Sequence, residues 1–220
     1  TKAAGFDDST DHFFIKDKDH PYVQEKPFDW IRGYQVGGKS LICGRACPRW
    51  SKYEFINPAK YGYGIEWPIG YDDIAPWYSH VETFAGICGN KDGLEAMPDG
   101  EYLPPFEMNC PEKDMKQKLL SKYKDRFMIH GRWAQLTEAK DIHHQQRRGQ
   151  CQASDKCMRG CPFGGYFSYN SSTLPWAEKT GNLTVRPFSV VHSIIYDEQK
   201  QKAIGVRIID TNMKETTDYF

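Results

Sequence analysis

Apolar side chains return at helical spacing in two stretches of this chain, and β-branched residues crowd its end. In WPIGYDDIAPWYSHVETFAGICG the pattern predicts a loop and then a short helix. Asp72 or Asp73 can cap that helix, Pro76 suits its first turn, and Trp77, Val81 and Phe84 recur on one face as packing residues. PEKDMKQKLLSKYKDRF, residues 111–127, predicts an amphipathic helix with Met115, Leu119 and Tyr123 on one stripe and lysines on a solvated face. SSTLPWAEKTGN predicts a short helix with capping hydroxyls at Ser171 to Thr173, Pro175 in its first turn and Gly181 closing it. LTVRPFSVVHSIIYD and KAIGVRIID, with DEQKQ as a turn between them, predict a β-hairpin or meander. The chain then stops at KETTDYF, where another strand is expected, as if cut.

Between these elements the pattern lapses. DDSTDHFFIKDKDHPY has no period and predicts an extended or flexible arm. In WIRGYQVGGKSLICGRACPRWS, Gly33, Gly37, Gly38 and Gly44 punctuate a mixed stretch. Paired glycines followed by Ser40 let the backbone approach a ligand and donate amide hydrogens to it, although a plain turn gives the same pattern. Three spaced glycines between a strand and a helix, the dinucleotide fingerprint, occur nowhere. The fold class that follows is α+β: short helices and an antiparallel meander joined by long loops, which in a compact domain signal function or missing partners.

Composition narrows the function. With 220 residues the chain can hold one large domain or two small ones, and its 29 basic and 29 acidic side chains cancel, which argues against a nucleic-acid binder. No run is long enough to cross a bilayer and no apolar stretch resembles a signal peptide; the compartment, cytoplasm or periplasm, stays open. Aromatics make up 14% of the residues, many beside Gly or Pro, as in loops wrapped around a ligand or simply in a loop-rich core. His143 and His144 are adjacent and therefore share no face; a hydrogen-bonded or exposed histidine is expected there rather than a metal site or proton shuttle. Arg147 and Arg148 can face a phosphate or hydrogen-bond neighbouring loops.

The sharpest chemistry lies in RGQCQASDKCMRGCPFGGYFS. Cys151, Cys157 and Cys161, separated by five and then three residues, can converge on one small object, and Pro162 gives the run a ferredoxin-like ending. Soft thiolates point to a metal or an iron–sulfur cluster; zinc fits less well because it prefers two pairs of ligands. Buried or disulfide-paired cysteines are the alternative. Seven cysteines leave an odd thiol in any disulfide framework, and Cys43 with Cys47 is a weak metal pair.

Taken in order, the GG-x-S loop with its nearby Trp residues, the WPI–Tyr–Asp–PWY–VE helix, the cysteine run and the STLPWAEKTGNLTV–VVHSIIYD–GVR meander resemble the glucose–methanol–choline (GMC) flavoprotein oxidoreductases. The closer likeness is to the branch holding the flavoprotein subunits of bacterial sugar and gluconate dehydrogenases, and it extends from about Phe28 onward. It implies an internal fragment of an FAD-dependent enzyme acting on CH–OH donors, expected to be inactive alone. Residues 1–147 would be a flavin-lid and substrate-side region, 148–172 a cysteine-rich cluster loop, and 173–220 a helix plus β-meander portion of the FAD-binding domain, truncated. It further implies that Gly37, Gly38, Lys39 and Ser40 lie against the flavin and its pyrophosphate, that Val190 and Val191 pass beside its adenine, and that Cys151, Cys157 and Cys161 hold a three-iron, four-sulfur cluster. Cys43 stands where relatives often place Trp, and the family's N-terminal glycine fingerprint and C-terminal catalytic pair lie outside this sequence, so no catalytic base is assigned. A sugar, polyol or other alcohol would be the substrate and a cytochrome or quinone the electron acceptor. Two other readings are a stand-alone iron–sulfur module and an aromatic-rich carbohydrate-binding domain with disulfides.

Overall fold

The computed structural model describes residues 8–220, which form two compact units, one running up to Trp176 and the other Ala177–Phe220. The first holds five helices or parts of them: α1 (Lys52–Lys60), α2 (Tyr71–Ala85), α3 (Cys110–Lys122), α4 (Asp141–Gln145) and the start of α5 (Thr173–Glu178). The second holds an antiparallel meander of β1 (Ser189–Asp197), β2 (Lys202–Asp210) and β3 (Thr216–Tyr219), in spatial order β1-β2-β3. The α+β class with short helices and a meander is borne out, and the closing KETTDYF segment supplies the third strand. The first strand begins at Ser189 rather than Leu183, because Pro187 has no amide to donate and Phe188 takes a left-handed φ of 56°.

The first unit is stitched by single backbone ladders instead of long strands. The segment 132–136 lies at the centre. Cys88 and Trp133 exchange both amide–carbonyl bonds, Ala134 donates to the Arg45 carbonyl (3.0 Å), and Leu136 donates to the Gly165 carbonyl (2.8 Å). Phe167 and Cys151 in turn donate to the carbonyls of Ala134 (3.0 Å) and Leu136 (2.8 Å). Around this seam sit two small apolar clusters, Ala85–Ile87–Ala134 and Cys88–Leu103–Leu136. The loop after the paired glycines and the cysteine run are thereby held against the same central segment.

Several helices differ from the pattern. α2 runs for 15 residues, with Pro76 inside it, and the Asp73 carboxylate accepts the Gly70 amide (2.8 Å) across its first turn. Trp77 and Val81 point to solvent, 68% and 56% exposed; the inward face instead carries Glu82 and Ala85. The reason is a buried polar contact: both oxygens of Glu82 bind the Arg49 guanidinium. α3 ends at Lys122 and none of its residues is fully buried; of the predicted stripe Met115 is exposed, while Leu119 and Tyr123 are half-buried. α1 has no counterpart in the periodicity and rests on its start: Ser51 Oγ accepts the Tyr53 amide (3.2 Å) and Glu54 accepts the Ser51 amide (2.7 Å). The described part of the amino-terminal arm is folded rather than extended. Ile15 donates to the Arg32 carbonyl (3.0 Å), and the buried Arg32 binds Asp17 (2.6 Å) beneath the Trp30 ring. Among the described residues no helix is long and apolar enough to cross a membrane.

Candidate functional site

The paired glycines adopt backbone conformations that side chains resist, with φ of 98° at Gly37 and 50° at Gly38. Their neighbourhoods differ. A Cβ on Gly37 would stand 2.6 Å from Asn170 Oδ1, whereas one on Gly38 would meet no atom within 4 Å. Ser40, buried, locks the turn by donating to the Gly37 carbonyl (2.6 Å) and accepting the Tyr169 amide (3.1 Å). Asn170 Nδ2 completes the clasp on the Val36 carbonyl (3.1 Å). In front of the turn lies a cavity of about 430 Å³ walled by Val36, Gly37, Gly38, Ser40, Tyr169 and Leu174, with Lys39 exposed at its rim. Gly38 therefore faces open space, but its amide and that of Ser40 are already donated to the carbonyls of Gln35 (2.8 Å) and Gly37 (3.1 Å), so these two amides are not free for a ligand as the sequence suggested.

Val36 also borders a second cavity of about 500 Å³, whose far wall is Cys157, Cys161, Arg45 and Tyr166. Arg45, itself in the left-handed region with φ 54°, crosses between the loops. Its Nε donates to the Phe167 carbonyl (2.7 Å), its Nη1 to the Cys43 carbonyl and to Met158 Sδ (3.6 Å), and its guanidinium lies 4.3 Å from the Tyr166 ring centre. The glycine turn and the cysteine run are thus adjacent regions of one unit, although 111 positions separate Ser40 from Cys151.

All seven cysteines are reduced and unpaired, which removes the disulfide framework. Cys151, Cys157 and Cys161 are half-buried. Cys151 Sγ accepts from Gln135 Nε2 (3.0 Å) and from the Ala153 amide (3.4 Å). Burial, reinforced by Cys151 and Cys161, pushes the Cys157 thiol above its ordinary range. Among the described residues no three His, Cys, Asp or Glu side chains converge closely enough to hold a metal ion, so a single-ion centre is not preformed.

Beneath this run the last turn of α2 is closed by side chains. His143 Nε2 meets the Thr83 carbonyl (3.1 Å), Gln146 Nε2 donates to Phe84 (2.9 Å), and Arg148 Nη1 donates to Ala85 (2.8 Å). His143 is therefore a satisfied structural histidine, its pKa lowered by burial. Burial also brings the Arg148 guanidinium down to about 10, against an opposing influence of Cys161. Of the tandem arginines, Arg147 is exposed and Arg148 buried, a distinction that adjacency in sequence conceals.

Val190 and Val191 lie on β1 in the second unit, 51% and 58% exposed, paired with Ile209 and Ile208 just before a β-bulge. Being consecutive in a strand, they face opposite sides of the meander.

Two curated proteins resemble this chain. The fructose dehydrogenase large subunit of Gluconobacter japonicus is 22% identical over 166 residues, 76% of this chain and 30% of that protein. The paromamine 6'-oxidase of Streptomyces fradiae is 31% identical over 62 residues, 26% of this chain and 11% of that protein. The chain thus matches less than a third of the length of either relative. The GMC oxidoreductase family model matches residues 14–219, nearly the whole chain, and the chain belongs to the GMC oxidoreductase family.

Proposed function

We propose that this chain is part of an FAD-dependent dehydrogenase that oxidises the CH–OH carbon of a sugar, polyol or other alcohol, with electrons leaving through an iron–sulfur cluster on Cys151, Cys157 and Cys161 toward a cytochrome or quinone. The observation that carries the reading is the shared wall at Val36. On one side of it stands the glycine turn, on the other the unpaired thiols of Cys157 and Cys161.

FAD, which the family binds, supplies a two-electron acceptor for hydride, and a cluster supplies a one-electron path onward. The work of this chain is positioning. Gly38 leaves room for a flat or anionic group against the backbone, and Ser40 with Asn170 holds the turn rigid. The three thiols offer soft donors, Gln135 already hydrogen-bonds one of them, and Arg45 ties the loops together. The likeness to the fructose dehydrogenase large subunit favours a sugar or polyol substrate.

The test is made on the full-length protein, isolated without oxygen. Flavin absorption, stoichiometric iron and acid-labile sulfide, and sugar- or polyol-dependent reduction of an artificial acceptor are expected together. Cys157→Ser should remove the iron and spare the flavin. Full-length protein with flavin and neither iron nor sulfide would end the cluster reading, and protein without flavin would end the enzymatic one.

A further inference from the structure

The buried Arg32, Arg49 and Arg132 each reach an Asp or a Glu. Arg45, 5% exposed, reaches only neutral acceptors among the described residues. Its Nε and Nη1 donate to the carbonyls of Phe167 and Cys43 and to Met158 Sδ, whereas its Nη2 meets no carbonyl or carboxylate. The Tyr166 ring lies against the guanidinium, 4.3 Å away at its centre, and holds the plane of the fork in place. A buried cation without a counter-charge is costly, so the site favours an anion beside it. Arg148 strengthens that bias. Its guanidinium, also bonded only to neutral groups, lies 5.4 Å from the ring centre of Phe167, whose carbonyl takes Arg45 Nε.

Space for that anion exists. Arg45 lines the cavity of about 500 Å³ beside Val36, a volume suited to a small organic molecule rather than a bare ion. Among the described residues the wall carries Arg45 and Arg159 and no Asp, Glu or Lys. Its neutral polar groups are engaged with the protein itself: Asn170 Nδ2 on the Val36 carbonyl (3.1 Å), Gln35 Nε2 on the Gly38 carbonyl (3.4 Å) and Ser171 Oγ on the Ser168 carbonyl (3.1 Å). Arg159 is exposed and adds attraction at longer range. One buried guanidinium edge matches a single negative charge, a carboxylate better than a doubly charged phosphate ester. Phe13, Leu41 and Met158 give the rest of such a molecule an apolar bed.

We propose that this cavity is a binding site for an organic carboxylate, a monoanion with an apolar body, held by Arg45 through its Nη2 edge. The site is separate from the cavity in front of Gly38 and shares only the Val36 and Ser40-side wall region with it through Val36. The inference goes beyond the dehydrogenase reading and rests on neither the flavin nor the cluster.

The experiment is isothermal titration of the full-length protein, as isolated and at low salt, with benzoate and with its neutral isostere benzamide. Wild type should bind benzoate saturably at millimolar concentration or below, and benzamide about tenfold more weakly or worse, because a charge-assisted contact is lost. Arg45→Gln should bring benzoate down to the benzamide level and leave benzamide within about twofold of wild type. Wild type that binds no benzoate, or binds both compounds equally, overturns the proposal. So does a folded Arg45→Gln protein that binds benzoate like wild type. Because Arg45 also bridges loops, Leu41→Trp is the second variant: it leaves the bonds of Arg45 intact and fills the apolar bed. Loss of benzoate binding in folded Leu41→Trp supports the site, and unchanged binding overturns it. Iron and sulfide analysis of the same wild-type sample keeps the two readings apart. Protein that holds iron and binds no benzoate gives the space to the cluster and ends this inference alone; iron-free protein that binds benzoate ends the cluster reading alone.

Discussion

Arg49 and Glu82 form a two-pronged ion pair in which Nε meets Oε1 at 2.8 Å and Nη2 meets Oε2 at 2.6 Å, with both side chains at most 5% exposed. Tyr71 and Ser79 take further guanidinium hydrogens, and the Glu101 amide donates to Glu82 (2.8 Å), so the pair fastens α2 to the loops before and after it. The bond to Glu82 holds the Arg49 guanidinium above its ordinary range. Glu82→Gln leaves a buried cation without its anion and should cost about 3–5 kcal/mol of stability. Replacing both residues with apolar ones of similar size should cost much less than the sum of the single changes. Denaturant unfolding of the four proteins checks this, and simple additivity would contradict it.

That ion pair also explains what the amino-acid pattern concealed. Period-based reading places Trp77, Val81 and Phe84 inward on α2; Phe84 does pack half-buried against Trp176, but Trp77 and Val81 face solvent and the buried face carries Glu82, a residue that hydrophobicity assigns to solvent. The distant Arg49, 33 positions away, supplies the charge that compensates its burial, and the Glu101 amide adds a further bond. α1 was legible in principle through Ser51 and Glu54, a capping box that its unpatterned body and Pro58 obscured. The meander was legible because β-branched runs and a polar turn need no long-range partner to be recognised. The cysteine run and the glycine turn were visible as local motifs. Their common wall at Val36, and the burial of Arg148 beside an exposed Arg147, arise from tertiary contacts that no local window contains.

His143 makes stability depend on pH. Its Nδ1 accepts the Lys140 amide (3.0 Å), so the proton of the neutral ring sits on Nε2 and is donated to the Thr83 carbonyl. Protonating Nδ1 would set two donors face to face in a buried site, and burial already lowers the pKa from 6.5. The unfolded chain therefore binds the proton more readily than the folded one. Stability is full above pH ~6.5 and declines as pH falls toward the lowered folded value, with a slope below the limit of about 1.4 kcal/mol per pH unit for one proton. His143→Asn should flatten that contribution. Unfolding curves between pH 5 and 8 that are parallel for wild type and variant would refute the assignment.

Ser40 joins the glycine turn to the segment after the cysteine run. Ser40→Ala removes the bond to the Gly37 carbonyl and strands the Tyr169 amide, a loss of about 1–3 kcal/mol locally. Flavin retained through gel filtration of the full-length protein should drop, and Ser40→Thr, which keeps the hydroxyl, should recover much of it. Equal flavin retention in Ser40→Ala and wild type would show that the turn does not depend on this hydroxyl.

The two glycines separate loop folding from ligand access. At Gly37 a methyl group would collide with Asn170 Oδ1 at 2.6 Å, and the φ of 98° is costly for alanine, so Gly37→Ala should disturb the turn and lower both thermal stability and flavin content. At Gly38 the left-handed φ of 50° costs alanine about 1–2 kcal/mol, but the methyl group meets nothing within 4 Å. It would project into open space beside the cavity that the cofactor is proposed to fill. Gly38→Ala should therefore fold with only a small drop in melting temperature while losing flavin. Paired measurements of melting temperature and flavin-to-protein ratio on full-length protein distinguish the two positions. A Gly38→Ala protein carrying its full complement of flavin would show that the cofactor does not approach the backbone at this glycine.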